Sequence, residues 1–250
     1  MIHIIGDGII KESQAFNDVR DALDFDHDVY LGAMWANPLG IELKGKAIYN
    51  MEYLYDESPL WKFGYLDTLK KNIVLDYSKQ NVRYLKKVGI KAFYLPYRFH
   101  NSLERIKPAV QDIDVLFVGS TYHARRVQLL HYLKGKVNLF IAQGYYGKEL
   151  DNLVARSKVH LNMHHAEGQP LETVRMNYLM ANHCNIVSED GDGWEEYALG
   201  ARFGNYDELI DACIEALNDP IDGYEIVKNM PMNCKAANDW VGGKLCLLQQ

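Results

Sequence analysis

Short apolar runs recur along the chain, separated by segments whose apolar residues fall at helical spacing. MIHIIGDG reads as a buried strand ending in a Gly-Asp-Gly turn. SQAFNDVRDALDF sets Phe16, Val19 and Leu23 on one helix face. HDVYLGAMW and KAIYNMEYL read as strands, and SPLWKFGYLDTLKK as a helix with Pro59 near its first turn. NIVLDYS is a strand. SKQNVRYLKKVG is a helix opened by Ser78 and closed by Gly89. IKAFYLPY is a strand that Pro96 keeps short.

The pattern then restarts. RFHNSLERIKPAVQD is polar and irregular and reads as a linker. After it come the strand IDVLFVGS, the helix HARRVQLLHYLKG, the strand KVNLFIAQG, the helix KELDNLVARS and the strand KVHLNMH. The helix PLETVRMNYLMAN, the strand CNIVSED and the helix NYDELIDACIEALND follow. Strands that are apolar throughout, alternating with helices, imply parallel sheets covered on both faces. The fold class predicted is α/β, with two Rossmann-like lobes at residues 1–107 and 108–250. Ligands of such sheets sit beyond the carboxyl ends of the strands, so the cleft between the lobes is where a site is expected.

Composition narrows this only slightly. Nearly half of the 250 residues are hydrophobic and about a quarter are charged, as in a soluble globular protein. The four cysteines, Cys184, Cys213, Cys234 and Cys246, form no CxxC pair, so free thiols in the cytoplasm are expected rather than a zinc ribbon or redox pair. MIHIIGDG lacks the basic start and long apolar run of a signal peptide. No apolar run nears the roughly 18 residues of a membrane span. The net charge of −6 is unevenly spread: residues 69–107 carry net +8 between two stretches of net −7 each. Such a block suits a polyanion-facing surface or simply a solvated helix face.

Candidate chemistry lies just after the strands. Gly119 and Ser120 form a turn ahead of a helix whose first turn carries Arg125 and Arg126, an arrangement that suits a phosphate. Gly144 and Gly147 flank two tyrosines on which a nucleobase would stack, or which make a tight turn. Leu171, Val174, Tyr178 and Ala181 give the next helix an apolar face, and Glu172 and Arg175 share the adjacent one on an exposed first turn. The carboxylate suits ribose hydroxyls and the guanidinium a phosphate; the plain alternative is a surface ion pair. Glu167, in the preceding loop, is placed to reach a sugar hydroxyl. His160, His164 and His165 have no second ligand cluster beside them, so hydrogen bonding is favoured over metal binding.

DVLFVGSTYHARRVQLLHYL, SKVHLNMHHAEGQPLETVRMNYLMANHCNIVSE and the stretch from AIYNMEYLYDESPL to KAFYLPY together resemble bacterial and phage glycosyltransferases of the two-lobed GT-B type. The compact branch related to spore-maturation proteins is the nearest in pattern. The resemblance runs from about Lys46 to Asp190 and is most specific between Ser157 and Glu189. It implies a C-terminal lobe holding a nucleotide-diphospho-sugar, probed by Gly119, Ser120, Arg125, His164, Glu167, Glu172 and Arg175. It implies an N-terminal lobe that holds the acceptor, with Tyr77, Lys86 and Lys87 as candidate contacts. Transfer would need no metal and no cofactor, only the nucleotide sugar, UDP-linked above all. Cationic groups such as Arg125 and Arg175 would meet the leaving diphosphate. A general base would come from Glu52 or Asp7, with Asp76 behind them. The acceptor would be a glycan, a small molecule or a hydroxymethylated base in DNA. One departure stands out: the family's two donor-site acids lie eight positions apart, whereas Glu167 and Glu172 lie five apart, and Arg175 holds the eighth place. A nucleotide-sugar epimerase and a non-catalytic nucleotide- or nucleic-acid-binding module are the alternatives. A nicotinamide dehydrogenase has only GDG at Gly6–Gly8 in its favour.

Overall fold

A computed structural model describes residues 1–248, with the backbone alone described at Ile9, Glu12 and Leu248. The chain divides into two compact units. The first comprises Met1–Arg98 together with the stretch from Met232 onward, and the second is Phe99–Pro231. This differs from the expected break at residue 107 in two ways. Phe99 and Leu103, inside the supposed linker, are buried, and Phe99 pairs with Pro231 in a parallel bridge. The stretch after Pro231 returns to the first unit, where Ala237 and Val241 are buried and Asn238 donates to Asp24 O and accepts from Asp26 N.

In the first unit the described elements are β1 (Ile2–Ile4), α1 (Gly8–Glu12), α2 (Gln14–Ala22), β2 (Val29–Leu31), β3 (Ala47–Asn50), α3 (Tyr65–Lys70), β4 (Ile73–Asp76), α4 (Lys79–Lys87) and β5 (Ala92–Tyr94). All five strands are parallel and follow one another in sequence order across the sheet. Every residue of β3 and β4 is buried, which is why both runs read as continuously apolar up to their last position. Ile48, Leu69, Val74 and Leu85 form the centre of the core. The strand expected over HDVYLGAMW stops at Leu31. Gly32 takes φ +68, and a Cβ there would lie 2.3 Å from Ile5 O, so the chain turns away into a short 3-10 helix, Ala33–Trp35.

The second unit runs β6 (Ile113–Val118), α5 (Ala124–Lys134), β7 (Leu139–Ala142), α6 (Gly147–Ala155), β8 (Ser157–Asn162), α7 (Thr173–Ala181), β9 (Ile186–Glu189), β10 (Arg202–Gly204), α8 (Leu209–Asn218) and α9 (Tyr224–Lys228). Its strands are again all parallel, in the order β10-β9-β8-β6-β7. The order reverses between β6 and β8. At such a switch point the flanking connections leave to opposite sides and open a crevice at the carboxyl ends. Val115, Phe117, Val159, Leu161 and Val187 from the strands pack with Leu129, Leu133, Leu209 and Cys213 from α5 and α8. The last helix, α10 (Lys235–Leu248), belongs to the first unit and sets Trp240 against Phe93. Two parallel five-stranded sheets with helical connections are the α/β architecture that the patterning predicts.

Candidate functional site

The switch point of the second unit gathers its charge. β6 ends at Val118, and Gly119 follows. A Cβ on Gly119 would lie 3.2 Å from Arg126 Nη1 and from Phe117, so only glycine lets the guanidinium approach the turn. The Gly119 amide itself donates to Ala142 O (3.1 Å), which removes it from the donors expected to face a phosphate. Ser120 contributes its carbonyl to Arg126 (3.3 Å). Arg126 is buried and also donates to Met163 O (2.7 Å) and His164 O (3.3 Å). Burial, with Arg175 nearby, pulls its pKa down to about 10, so it stays charged at neutral pH. Arg125, expected to meet phosphate directly, forms a bidentate ion pair with Glu189 and lies over the Tyr206 ring.

β8 ends at Asn162, and the chain then passes through His164 and the loop to Glu172. The helix expected from about Leu171 begins at Thr173, because the Thr173 amide turns back to Leu171 O and Glu172 occupies the N-cap position. Glu172 is therefore not on an exposed turn; its side chain keeps only 19% exposure. Its carboxylate accepts from Asn162 Nδ2 (3.0 Å) and Gln169 Nε2 (3.1 Å). It also lies 2.9 Å from His164 Nδ1, an ion-pair contact off the line of an ideal hydrogen bond. Burial opposes its charge, but His164, Arg175 and Asn162 hold its pKa down at about 2. Arg175 Nη1 donates to Asn162 Oδ1 (2.8 Å). Glu167 is exposed beyond this network and reaches it only through its field at Arg125.

The structure thus brings Gly119, Ser120, Arg125, His164, Glu172 and Arg175 to one carboxyl edge and leaves Glu167 at its rim. Asn162, Gln169 and Glu189 complete the network, and no sequence argument singled them out. A signal was present: Asn162 and Glu189 are the polar last residues of strands whose final four residues are all buried. Three guanidinium groups (Arg125, Arg126 and Arg175) and the His164 ring, whose pKa its carboxylate neighbours raise, gather with two inner carboxylates (Glu172 and Glu189).

The first unit has a different carboxyl edge. Asn50, the last residue of β3, pairs in register with Asp76, the last of β4. Asn50 Nδ2 donates to Asp76 Oδ2 (2.7 Å) and to Glu52 O (2.9 Å); Asn81 Nδ2 donates to Asp76 Oδ1 (3.1 Å) and to Glu52 O (2.7 Å). The Ser78 amide donates to Asp76 Oδ1 (2.8 Å), and Tyr65 Oη to Asn50 Oδ1 (2.7 Å). Two amides thus clamp the Glu52 backbone while no described residue pairs with its carboxylate. Burial pushes that carboxyl up to about 7. Burial also pushes Asp76 to about 7, against the pull of Ser78, Asn50 and Asn81. Asp7 lies elsewhere, exposed after β1, where its Oδ1 caps α1 at Ile10 N (3.0 Å). Tyr77 is buried after β4. Lys86 and Lys87 are exposed in the last turn of α4, and Lys87 pairs with Asp56 at 2.7 Å.

Among the described residues no cluster of three or more His, Cys, Asp or Glu side chains suits a metal ion. Among them, too, no helix is long and apolar enough to cross a membrane. Cys184, Cys213, Cys234 and Cys246 are free thiols, the first three buried.

No protein-family model matches the chain. The uncharacterised protein L140 of Acanthamoeba polyphaga mimivirus is 29% identical over 163 residues, covering 60% of this chain and 53% of that protein. The chain therefore spans about half the length of the curated relative it matches. Among solved structures, sucrose-phosphate synthase from Thermosynechococcus elongatus superposes with a TM-score of 0.58 at 11% identity, over 88% of this chain and 73% of that one. Anabaena HepE in complex with UDP gives 0.54 at 12% identity, over 93% and 81%. A UDP-forming trehalose-phosphate synthase from Burkholderia xenovorans gives 0.52 at 12% identity, over 93% and 76%. At these identities the likeness is one of fold: two Rossmann-like parallel lobes of the GT-B type.

Proposed function

We propose that the chain is a glycosyltransferase that takes a nucleotide-diphospho-sugar, UDP-linked, at the carboxyl edge of its second unit. The observation that carries the reading is the surplus of positive charge among the inner groups at the switch point between β6 and β8, three guanidinium groups against two carboxylates, to which a protonated His164 adds. A leaving nucleoside diphosphate brings a matching negative charge, and preorganised cations there stabilise it as the sugar bond breaks. In this reading Arg175 meets the diphosphate, and the buried Arg126 and His164 act on it through their charge. Glu172, held ionised and oriented by three neighbours, accepts from ribose hydroxyls. A solved structure of the same fold, HepE, holds UDP, which supports this choice of nucleotide.

For an inverting transfer the acceptor hydroxyl needs a base. Glu52 suits that task better than Asp7, whose carboxylate is spent on a helix cap. A carboxylate raised to about 7 with no donor on it takes a proton near neutral pH. The acceptor in this reading is a hydroxyl on a glycan or small molecule, or on a hydroxymethylated base of DNA, the last suggested by the exposed Lys86 and Lys87 of the basic stretch. Calorimetry with UDP, GDP and ADP tests the donor, and incubation with a panel of nucleotide sugars tests the reaction. Donor hydrolysis or transfer supports the proposal. Sugar isomerisation without transfer replaces it with an epimerase, and binding alone with a nucleotide-binding module. Salt-sensitive labelling of hydroxymethylated duplex DNA selects that acceptor, and its absence with every donor removes it.

A further inference from the structure

His164 is hydrogen-bonded at its amide, its carbonyl and Nε2, while Nδ1 meets Glu172 as an ion-pair contact off the line of a hydrogen bond. Its amide donates to Glu189 Oε2 (3.0 Å), and its carbonyl accepts from Arg125 Nη1 (3.2 Å) and Arg126 Nε (3.3 Å). Its ring is 1% exposed, with Nε2 at 3.0 Å from Asp190 O and Nδ1 at 2.9 Å from Glu172 Oε2. Both ring nitrogens face atoms that only accept. A neutral imidazole has one lone pair and would press it against a carbonyl or a carboxylate. The imidazolium donates at Nε2 and sets its charge 2.9 Å from the Glu172 carboxylate, and that carboxylate, beyond the two acceptors, is what favours it.

His160, on the same strand, provides an internal contrast. It too is buried, with Nδ1 3.3 Å from Asn185 O and Nε2 3.2 Å from Val154 O, but no carboxylate adjoins it. Burial there draws its pKa down to about 4. At His164 burial pulls the same way, and Glu172 and Glu189 overcome it, leaving the ring above the ordinary histidine value.

We propose that His164 is a positioning residue whose proton couples donor affinity to pH: its imidazolium holds Glu172 in place and supplies part of the positive surplus that meets the diphosphate. The coupling rests on the donor-site reading above. The charged groups around the ring are Arg125 and Arg126 from α5, Glu189 with the Asp190 carbonyl after β9, and Glu172 and Arg175 at the start of α7. His165 and Glu167 belong to its own loop. His165 stands against His123 and is pulled below the ordinary value by burial, His123 and Arg126. It has therefore lost its proton before His164 gives up its own. As pH rises through the His164 value, one ring nitrogen turns a lone pair to an acceptor, the charge that steadies Glu172 is lost and the site's positive surplus falls by one.

Two measurements test this. The first follows the His164 ring by heteronuclear NMR in the native protein without ligand. The ring is expected to titrate above the ordinary value of about 6.5 and to drop to or below it in Glu172→Gln. A ring that titrates at or below the ordinary value in the native protein overturns the proposal. The second is UDP calorimetry between about pH 7 and 9, where the diphosphate's own charge is settled because its last ionisation lies near 6. Above the His164 midpoint, Kd is expected to rise by up to about tenfold per pH unit. In Glu172→Gln, which binds more weakly, that rise moves to lower pH with the ring. UDP binding that is flat with pH in the native protein overturns the coupling and leaves the donor reading standing. No UDP binding at any pH overturns the donor reading and the coupling with it. The ring titration needs no variant to fold, so a collapse of Glu172→Gln does not shelter the proposal.

Discussion

Both units end a parallel sheet in acids, and the two sets behave in opposite ways. In the second unit Glu172 and Glu189 sit beside a histidine and an arginine, and Glu172 is held at about 2. In the first, Asp76 and Glu52 have amides and a tyrosine around them and no cation, and burial lifts both to about 7. Cations fix charge, and amides fix position while leaving the proton negotiable. The sheets differ in the same sense. The second unit's strand order reverses at its charged edge, whereas the first unit's strands run in simple sequence order with no reversal. One edge holds fixed charge, and the other holds two carboxyls whose protons come off near neutral pH.

The largest effect comes from breaking the contrast in the first unit. Glu52→Gln is expected to lower turnover by about 10²–10⁴-fold if Glu52 is the base. The limb of the pH–rate profile that rises through about 7 is expected to go with it. Stability moves the other way. The folded state keeps the Glu52 proton where the unfolded chain has released it, so this residue costs stability as pH rises from its ordinary 4.5 to about 7. At pH 8 the variant is expected to be more stable by about 1–3 kcal/mol in urea titrations. Equal turnover would remove Glu52 from the chemistry.

Breaking the second unit's side comes next. Arg126→Met leaves the carbonyls of Ser120 and Met163 without their Arg126 donor and takes one of two donors from the His164 carbonyl. It is expected to cost about 3 kcal/mol of stability and to abolish measurable UDP binding. Arg175→Ala is milder for the fold, since it gives up one hydrogen bond to Asn162. It is expected to lower kcat about a hundredfold at saturating donor, with a smaller change in UDP affinity. Equal kcat would reject its role. The smallest effect sharpens the comparison by staying outside both edges. Lys87→Ala opens an exposed pair with Asp56 and is expected to shift stability by less than about 0.5 kcal/mol, with UDP binding unchanged.

The alternation of apolar strands and helices was legible because β3, β4 and β9 are buried at every residue, which leaves no polar face to blur the run. Strand ends were less legible. Gly32 stops β2 through a close approach to Ile5 O, a contact 27 positions away in the chain that no local pattern carries. The site was legible where its residues lie together, from His164 to Arg175. Arg125 stood out as a cation in a first turn, but its partner Glu189 is 64 residues on, so its pairing was hidden. Asn162 and Asn50 were overlooked because each is an uncharged residue at the end of a buried strand run, and its importance comes from the neighbours that the sheet register gives it.

The bridge between Phe99 and Pro231, with Phe99 N donating to Met230 O at 3.1 Å, bears on how the chain is made. A ribosome delivers the five strands of the first unit early but its last helix only after all of Phe99–Pro231 has emerged. Until then Phe93 lacks Trp240, and the carbonyl of Asp24 and the amide of Asp26 lack Asn238. The second unit suffers no such delay, since its entry and exit are both its own and close side by side. Nascent chains halted before Met232 should therefore carry a finished second unit and a first one still waiting for the stretch that completes it.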